Sequence, residues 1–140
     1  LGATHTFLGS DPDCAAKVRE ATHGGVEVAF EMAGSIAAMT LAYSIGRRGS
    51  TTVCGGLPSA SATFPMPSAA LVADERVIKG SYMGSAVPSR DIPKLVGLVL
   101  AGQMPIDKLR TEVIGFSGLN AGFDQLADGL GVRQVLQCAQ

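Results

Sequence analysis

Three groups of small or apolar residues are the first candidates for chemistry in this sequence. Each stands at the end of a stretch that is predicted to be a strand, and the groups are Met32-Ala33-Gly34, Gly55-Gly56-Leu57 and Ser81-Tyr82-Met83. Because parallel strands end at one edge of their sheet, the groups would form a single rim. Small residues let a flat ring approach the backbone, whose N–H and C=O groups could bind a carboxamide. The alternative is that the glycines only make tight turns, and the pattern alone favours it, since every parallel sheet has such ends.

The histidines and cysteines do not indicate a metal or catalytic site. His5 and His23 have no Cys, Asp or Glu at ligand spacing, so a surface or capping role is favoured for both. Cys54 lies at a predicted strand end, where a buried, inert thiol is favoured over a reactive one. The chain has 3 cysteines and no CxxC pair, which argues against a disulfide framework and indicates a reducing compartment. We therefore expect a cytoplasmic protein, and we predict no catalytic residue and no metal ligand in this chain.

Arg133 is the only basic residue after Arg110. It stands at the start of the last predicted strand, where a guanidinium could bind a phosphate. An exposed surface arginine is the alternative, and the residues alone leave the two interpretations even.

The stretch Gly24–Ser35 organises the predicted fold. Val26–Phe30 is a short apolar run interrupted only by Glu27, which is typical of a buried parallel strand. Ser35 can cap the helix that follows, which we expect to continue to about Ser44. A strand that leads through a tight glycine turn into a helix is half of a βαβ unit, and ligands bind at the carboxyl ends of such strands.

The other elements alternate in the same way. Further strands are predicted at Thr4–Phe7, Ser50–Cys54, Arg76–Ser81, Lys108–Ile114 and Val132–Cys138. Further helices are predicted from Asp11 to about Thr22, with Asp11 as the cap, and at Ser68–Asp74, Ser89–Ala101 and Gly118–Gly129. A helix end is expected at Leu1, and Gly46–Gly49 is expected to be a turn. The alternation predicts an α/β fold with a parallel sheet and right-handed crossovers.

Two of these helices should each bury an apolar face. The residues expected to point inward are Ile92, Leu95, Val96 and Val99 on one helix and Phe123 and Leu126 on the other.

The composition excludes several classes of protein. With 140 residues, of which 46% are hydrophobic, the chain can fill the core of one domain or of a piece of a larger one. A net charge of −1 without a basic stripe argues against nucleic acid and anionic membranes as partners. The longest apolar run, Leu95–Ala101, is too short to cross a bilayer, and no signal peptide is visible. Because the chain opens inside an apparent helix end, we expect a fragment.

The order of several short motifs resembles the zinc-dependent, medium-chain alcohol dehydrogenases. The motifs are LGATH at Leu1–His5, GGVEVAFE at Gly24–Glu31, GGLP at Gly55–Pro58, KGS at Lys79–Ser81 and GFD at Gly122–Asp124. The resemblance covers the whole chain and is to the C-terminal portion of such an enzyme. It implies that residues 1–88 are part of an NAD-binding Rossmann domain without its first strands and glycine loop. Residues 89–140 would be a helix and strand segment that returns to the GroES-like catalytic domain.

The resemblance also implies roles for the candidate residues. Met32-Ala33 would contact the ribose side of the cofactor, and Gly55-Gly56-Leu57 would pack against the nicotinamide and its ribose. In the turn Ser81-Tyr82-Met83, the first and last backbone groups would hold the carboxamide. Arg133 would bind the pyrophosphate. The strand at Arg76–Ser81 would lie at the sheet edge used for pairing in a homodimer.

The reaction implied is hydride transfer between a zinc-bound primary or secondary alcohol, or an aldehyde, and NAD. Zinc would act as a Lewis acid, and the protein would hold the nicotinamide toward the substrate carbon. The G-x-G-x-x-G loop and the acidic residue that reads the adenine ribose are absent from this chain, so NAD and NADP both stay open. The zinc ligands are absent as well, so we expect this chain alone to be inactive. A zinc-free quinone or enoyl reductase and a non-catalytic nucleotide-binding module are the alternatives.

Overall fold

The computed structural model of the chain describes residues 2–138, so the helix end expected at Leu1 lies outside it. Residues 3–86 form one compact unit, and residues 87–138 together with Gly2 form a second. We call these the first and second units. The assignment of residues 1–88 and 89–140 to two enzyme domains stays a prediction.

The first unit contains a parallel sheet with the strand order β1-β2-β3. Its strands are β1 (Val26–Glu31), β2 (Gly46–Cys54) and β3 (Val77–Gly80). Its helices are α1 (Cys14–Ala21), α2 (Ile36–Ser44) and α3 (Ser68–Ala73). The predicted α/β class with a parallel sheet and flanking helices is therefore confirmed.

The predicted β1–α2 unit is confirmed in detail. The Oγ atom of Ser35 accepts a hydrogen bond from the backbone N–H of Ala38 at 3.2 Å, so Ser35 is the N-cap of α2. This side-chain oxygen satisfies one of the backbone donors that a helix start leaves free. The cap fixes where α2 begins, directly beyond the carboxyl end of β1.

The core of the first unit lies on one face of the sheet. Ala29 of β1 and Thr52 of β2 are neighbours in register, and both are buried together with Ala42 and Tyr43 of α2. Because side chains alternate along a strand, the next residues point to the opposite face. On that face Phe30 is 67% exposed, and Val28 and Val77 are exposed as well. We call these two sides the helix-covered face and the open face.

An arginine connects the start of β3 to the end of α2. The Nη1 atom of Arg76 donates to the backbone oxygen of Tyr43 at 2.8 Å, and the guanidinium lies 4.8 Å from the centre of the Tyr43 ring. Its Nε and Nη2 atoms donate to Asp74 at 3.0 and 2.8 Å. These charge-assisted bonds hold the strand and the helix in a fixed relation.

Two predictions in the N-terminal region are wrong. Residues 4–7 form no strand, because their backbone has no ladder partner among the described residues. Helix α1 begins at Cys14 rather than after Asp11. The side chain of Asp11 instead accepts the backbone N–H of Asp13 at 2.9 Å, which forms a turn before the helix. Hydrogen bonds from Lys17 and from the Asp13 backbone lower the pKa of the Asp11 carboxyl.

The turn expected at Gly46–Gly49 lies within β2. Val26 pairs with Gly46, whereas Val28 pairs with Thr51, so the register shifts between the two pairs. The extra residues of β2 form a bulge, which Gly49 closes with a φ of 69°. The carboxyl half of β2 coincides with the predicted strand Ser50–Cys54.

The second unit contains a separate two-stranded parallel sheet, so the five strands do not form one sheet. Its elements are α4 (Pro88–Leu100), a 3-10 helix (Ile106–Leu109), β4 (Glu112–Ile114), α5 (Leu119–Ala127) and β5 (Gln134–Leu136). The predicted strand Lys108–Ile114 is therefore wrong in its first half. There the N–H of Lys108 bonds to Pro105 and that of Arg110 bonds to Asp107, which favours a local turn.

The inward faces predicted for α4 and α5 are also wrong within this unit. Exposed side chains on these faces are Ile92, Leu95, Val96, Phe123 and Leu126, and Val99 is half-buried. Two short strands cannot cover two amphipathic helices. In the described part of the chain, no helix combines the length and the apolar character that a membrane span requires.

We expect the chain to self-associate, since β3 is an edge strand and the open face is apolar. Analytical ultracentrifugation at micromolar concentration should show dimers or larger species. Lysine at both Phe30 and Val77 should raise the monomer fraction, because it places charge on the open face. Leu8→Lys, at an exposed site outside the sheet, is the control and should change little. A clean monomer of the unmodified chain would contradict the prediction.

Candidate cofactor-binding site

The three residue groups predicted to form a rim do lie together in the first unit. The final register row pairs Glu31 with Cys54 and Cys54 with Gly80, so the strands end side by side. The N–H of Ser81 donates to the backbone oxygen of Cys54 at 2.9 Å. The N–H groups of Gly55 and Gly56 both donate to the backbone oxygen of Glu31, at 2.8 and 3.0 Å. We call the residues that follow the three strands the rim.

Two glycines of the rim are required by close packing. A Cβ atom at Gly56 would lie 2.1 Å from the backbone nitrogen of Gly34. Gly34 has a φ of 68°, and a Cβ atom there would lie 2.8 Å from the backbone oxygen of Leu57. The loops after β1 and β2 therefore touch through their backbones, which only glycine permits. Tight turns alone do not account for these glycines.

Sequence reasoning missed the residue that joins the two loops. Glu31 is 4% exposed, and its Oε1 atom accepts the N–H groups of Ala33 at 2.8 Å and Gly34 at 2.7 Å. Its backbone oxygen holds the second loop, as described above. A signal was present, because an acidic residue at the end of an apolar strand must find partners if it is buried.

Two cavities open at the rim. One lies on the open face, has a volume of about 400 Å³ and is lined mainly by Phe30, Met32, Val53 and Met83. The other has a volume of about 390 Å³ and lies between the ends of β2 and β3, beside Tyr82. These volumes suit small-molecule sites, which are largely apolar with a few polar groups. The large side chains of Met32, Leu57 and Met83 are exposed there, as expected for a surface that a ligand covers.

The loop after β3 has a strained backbone. Met83, Gly84 and Ser85 are consecutive residues with φ values of 48°, 70° and 52°. The left-handed region is costly for residues other than glycine, and such strain clusters at ligand sites. The hydroxyls of Ser81 and Ser85 lie 3.3 Å apart across this loop.

The histidines lie outside the rim, as surface residues. His5 is exposed and contacts Thr4 at 3.3 Å, and His23 is an exposed residue after α1 with a φ of 51°. Across residues 2–138, no three His, Cys, Asp or Glu side chains lie close enough together to hold a metal ion.

Cys54 has the character of an unreactive thiol. The described cysteines form no disulfide, and Cys54 is half-buried with its Sγ atom 3.3 Å from Sδ of Met39. Burial is the main cause that raises the pKa of the Cys54 thiol, and the negative charge of Glu31 raises it further. A reactive cysteine needs a lowered pKa, so the inert interpretation is the better supported one.

Arg133 belongs to the second unit and precedes β5. Its backbone N–H lies 3.3 Å from Oγ1 of Thr111, and its backbone oxygen accepts the N–H of Thr111 at 2.7 Å. The side chain is exposed, and its guanidinium has no hydrogen bond or ion pair with a described residue. The guanidinium is therefore available to an anion, and its phosphate role stays a prediction.

We expect the purified 140-residue chain to hold no stoichiometric zinc, because a structural or catalytic zinc site needs three or four clustered ligands. Elemental analysis by plasma mass spectrometry after exhaustive dialysis should find far less than one zinc per chain. One tightly bound zinc that survives dialysis would contradict this prediction.

Comparison with known proteins places the chain in a family. Residues 1–101 match the family model described as zinc-binding dehydrogenase. A putative alcohol dehydrogenase D of Mycobacterium tuberculosis is 34% identical over 140 residues, covering 97% of this chain and 38% of that protein. Alcohol dehydrogenase 1 of Pisum sativum is 33% identical over 124 residues, covering 86% of this chain and 32% of that protein.

Solved structures agree with these sequence matches. Benzyl alcohol dehydrogenase from Acinetobacter calcoaceticus has a TM-score of 0.91 and 27% identity, covering 99% of this chain and 38% of that one. The chain thus spans less than two fifths of the length of these relatives. The resemblance inferred from the short motifs is confirmed, and the chain belongs to the zinc-binding dehydrogenase family.

Proposed function

We propose that this chain supplies the nicotinamide-binding rim of an NAD-dependent alcohol dehydrogenase. The parent oxidoreductase would transfer hydride between a primary or secondary alcohol, or the matching aldehyde or ketone, and the cofactor. The observation that carries the proposal is the rim itself, where three adjacent parallel strands end in small residues beside two cavities. The alcohol dehydrogenase relatives support the same class of reaction.

The described residues fit a nicotinamide group. Gly34 and Gly56 contribute no side chain where the two loops touch, so a flat ring can approach the main chain there. NAD, when bound, supplies the carbon that accepts or donates the hydride. Met32-Ala33 and Leu57 would contact the ribose and ring. The backbone of Ser81 and Met83 would orient the carboxamide and so fix which face of the ring meets the substrate.

The described residues do not fit zinc, because they offer no set of clustered ligands. We therefore derive no step through a metal from this chain. In the parent enzyme, zinc ligands would have to come from sequence beyond these residues, and the residues preceding Leu1 would separate the zinc enzyme from a zinc-free reductase. The choice of NAD over NADP, the homodimer and the cytoplasmic location stay predictions.

Titration of NAD onto the isotope-labelled 140-residue chain tests the proposal. We expect amide shifts at Ala33, Gly55, Ser81 and Met83, with a dissociation constant on the order of millimolar, since most phosphate contacts are absent. AMP, which lacks the nicotinamide, is the matched control and should leave Ser81 and Met83 unmoved. If NAD and AMP shift the same amides, or if NAD shifts none of the rim, the nicotinamide assignment is wrong.

A further inference from the structure

A third cavity lies on the helix-covered face of the first unit, and the proposed function assigns no ligand to it. This cavity has a volume of about 190 Å³ and lies between the first turn of α2, the end of β2 and the loop that follows β2. The residues that matter for its chemistry are Glu31, Ile36, Met39, Cys54 and Phe64. We call it the helix-side pocket.

One oxygen of the Glu31 carboxylate has no hydrogen-bond donor in this pocket. Oε1 accepts both loop N–H groups, whereas Oε2 has no hydrogen-bond donor among the described residues. Oε2 lies beside the backbone contact of Gly34 with Gly56, and both Glu31 and Gly56 line the pocket. Glu31 is 4% exposed, and a ligand in the pocket that donates a hydrogen bond to Oε2 would satisfy this oxygen.

The charge of Glu31 and the apolar walls of the pocket indicate which class of ligand the pocket could bind. In the described part of the chain no Lys or Arg forms an ion pair with Glu31, so no side-chain cation balances its carboxylate there. Ile36, Met39 and Phe64 give the pocket apolar walls. A cavity of about 150 Å³ with such walls accepts benzene, which sets the size of the apolar group. A cation with several N–H donors and a compact hydrocarbon body matches both features.

We propose that the helix-side pocket binds a primary ammonium ion that carries a hydrocarbon group of about the size of benzene. The ammonium donates to Oε2 of Glu31, and the hydrocarbon packs against Ile36, Met39 and Phe64. The site shares Cys54 and Gly56 with one rim cavity but differs from it in its walls, which α2 and the loop after β2 provide, and in its selection of positive charge. Its occupant would contact the carboxylate that also holds the loop Ala33-Gly34.

Benzylammonium is the probe, and benzyl alcohol is its neutral counterpart of similar shape. For the 140-residue chain at neutral pH, we expect benzylammonium to bind with a dissociation constant on the order of 1 mM, since a ligand with so few non-hydrogen atoms binds weakly. Glu31→Gln should weaken benzylammonium about tenfold and leave benzyl alcohol within about twofold, because only the cation loses a charge-assisted bond. Glutamine keeps an oxygen for the Ala33 and Gly34 N–H groups, so the loop stays in place.

A second pair of variants tests the pocket without changing Glu31. Ala62 lines the pocket, whereas Ala60 lies in the same loop outside its lining, and both are exposed. Ala62→Phe should fill the pocket and abolish binding of both probes, and Ala60→Phe should leave binding unchanged. Both variants add the same side chain to the same loop, so a difference between them reports the pocket.

Thiol alkylation gives an independent readout. Cys54 lines this pocket and also the rim cavity beside Tyr82, whereas Cys138 is exposed in the other unit. Saturating benzylammonium should slow alkylation of Cys54 and leave Cys138 unchanged, and Glu31→Gln should raise about tenfold the concentration needed for this protection. Site-resolved mass spectrometry measures both rates in one sample. The proposal is overturned if Glu31→Gln binds benzylammonium as tightly as the unmodified chain, or if Cys54 is not protected. It is equally overturned if Ala60→Phe and Ala62→Phe have the same effect on binding, since binding would then not depend on this pocket.

Discussion

Gly56→Ala is expected to lower the free energy of unfolding of the first unit by about 3 kcal/mol, at the upper end of the cost of overpacking. The added methyl group would stand 2.1 Å from the nitrogen of Gly34 and 2.6 Å from its Cα atom. Both atoms belong to backbone, which cannot move aside as a flexible side chain does. The two loops must therefore separate, and the hydrogen bonds of Glu31 to both loops weaken with them.

Urea unfolding followed by circular dichroism measures this effect, with Gly80→Ala as the matched control. Gly80 lies at the end of β3 in the same unit, and an added Cβ atom there meets nothing within 4 Å. The control should change the free energy of unfolding by less than about 1 kcal/mol. If Gly56→Ala costs no more than Gly80→Ala, the two loops do not pack as tightly as the structure indicates.

Arg133→Ala is expected to weaken NAD binding about tenfold to a hundredfold in the parent enzyme. An arginine–pyrophosphate contact is charge-assisted and contributes about 1.5–3 kcal/mol, and each 1.4 kcal/mol is about tenfold in affinity. Lysine should rescue binding only in part, because it lacks the bidentate fork of arginine. The change should appear in the dissociation constant of NAD and should leave the zinc content unaltered.

Two controls isolate the role of Arg133. Arg110→Ala removes another exposed arginine of the second unit and should leave NAD affinity unchanged. In the 140-residue chain alone, Arg133→Ala should have no visible effect, because the glycine loop and its helix N-terminus carry most phosphate binding. If Arg133→Ala leaves the NAD affinity of the parent enzyme within a factor of two, Arg133 does not bind the pyrophosphate and is a surface residue without a role in cofactor binding.

The β1–α2 unit was predictable because its signals are local. An apolar run, a glycine turn and a capping serine lie within a few residues of one another, and each has a direct physical meaning. The rim was predictable because the carboxyl ends of parallel strands lie at the same edge of their sheet. What the sequence did not reveal is the carboxylate of Glu31 between the loops. Its environment depends on Gly56, which lies 25 residues away and approaches Gly34 only in the folded chain.

The wrong predictions have a common physical origin. A periodic pattern identifies the apolar face of a helix but not the surface that covers it, as the exposed Leu95 and Phe123 show. Thr4–Phe7 has the composition of a strand but no neighbour to bond with, and a ladder requires two strands. Helix α1 starts late because the side chain of Asp11 forms a turn of its own.

The bulge in β2 lies at the opposite end of the sheet from the rim, and it is the place where the sheet can accept changes in chain length. Two residues advance along β1, from Val26 to Val28, while five advance along β2, from Gly46 to Thr51, so the bulge holds three extra residues. The side chains of Arg47 and Arg48 are exposed, and the register beyond Thr51 is regular. Insertions or deletions in this bulge would therefore be absorbed at the amino end of the sheet. The opposite end could keep its geometry while homologous chains diverge in length here.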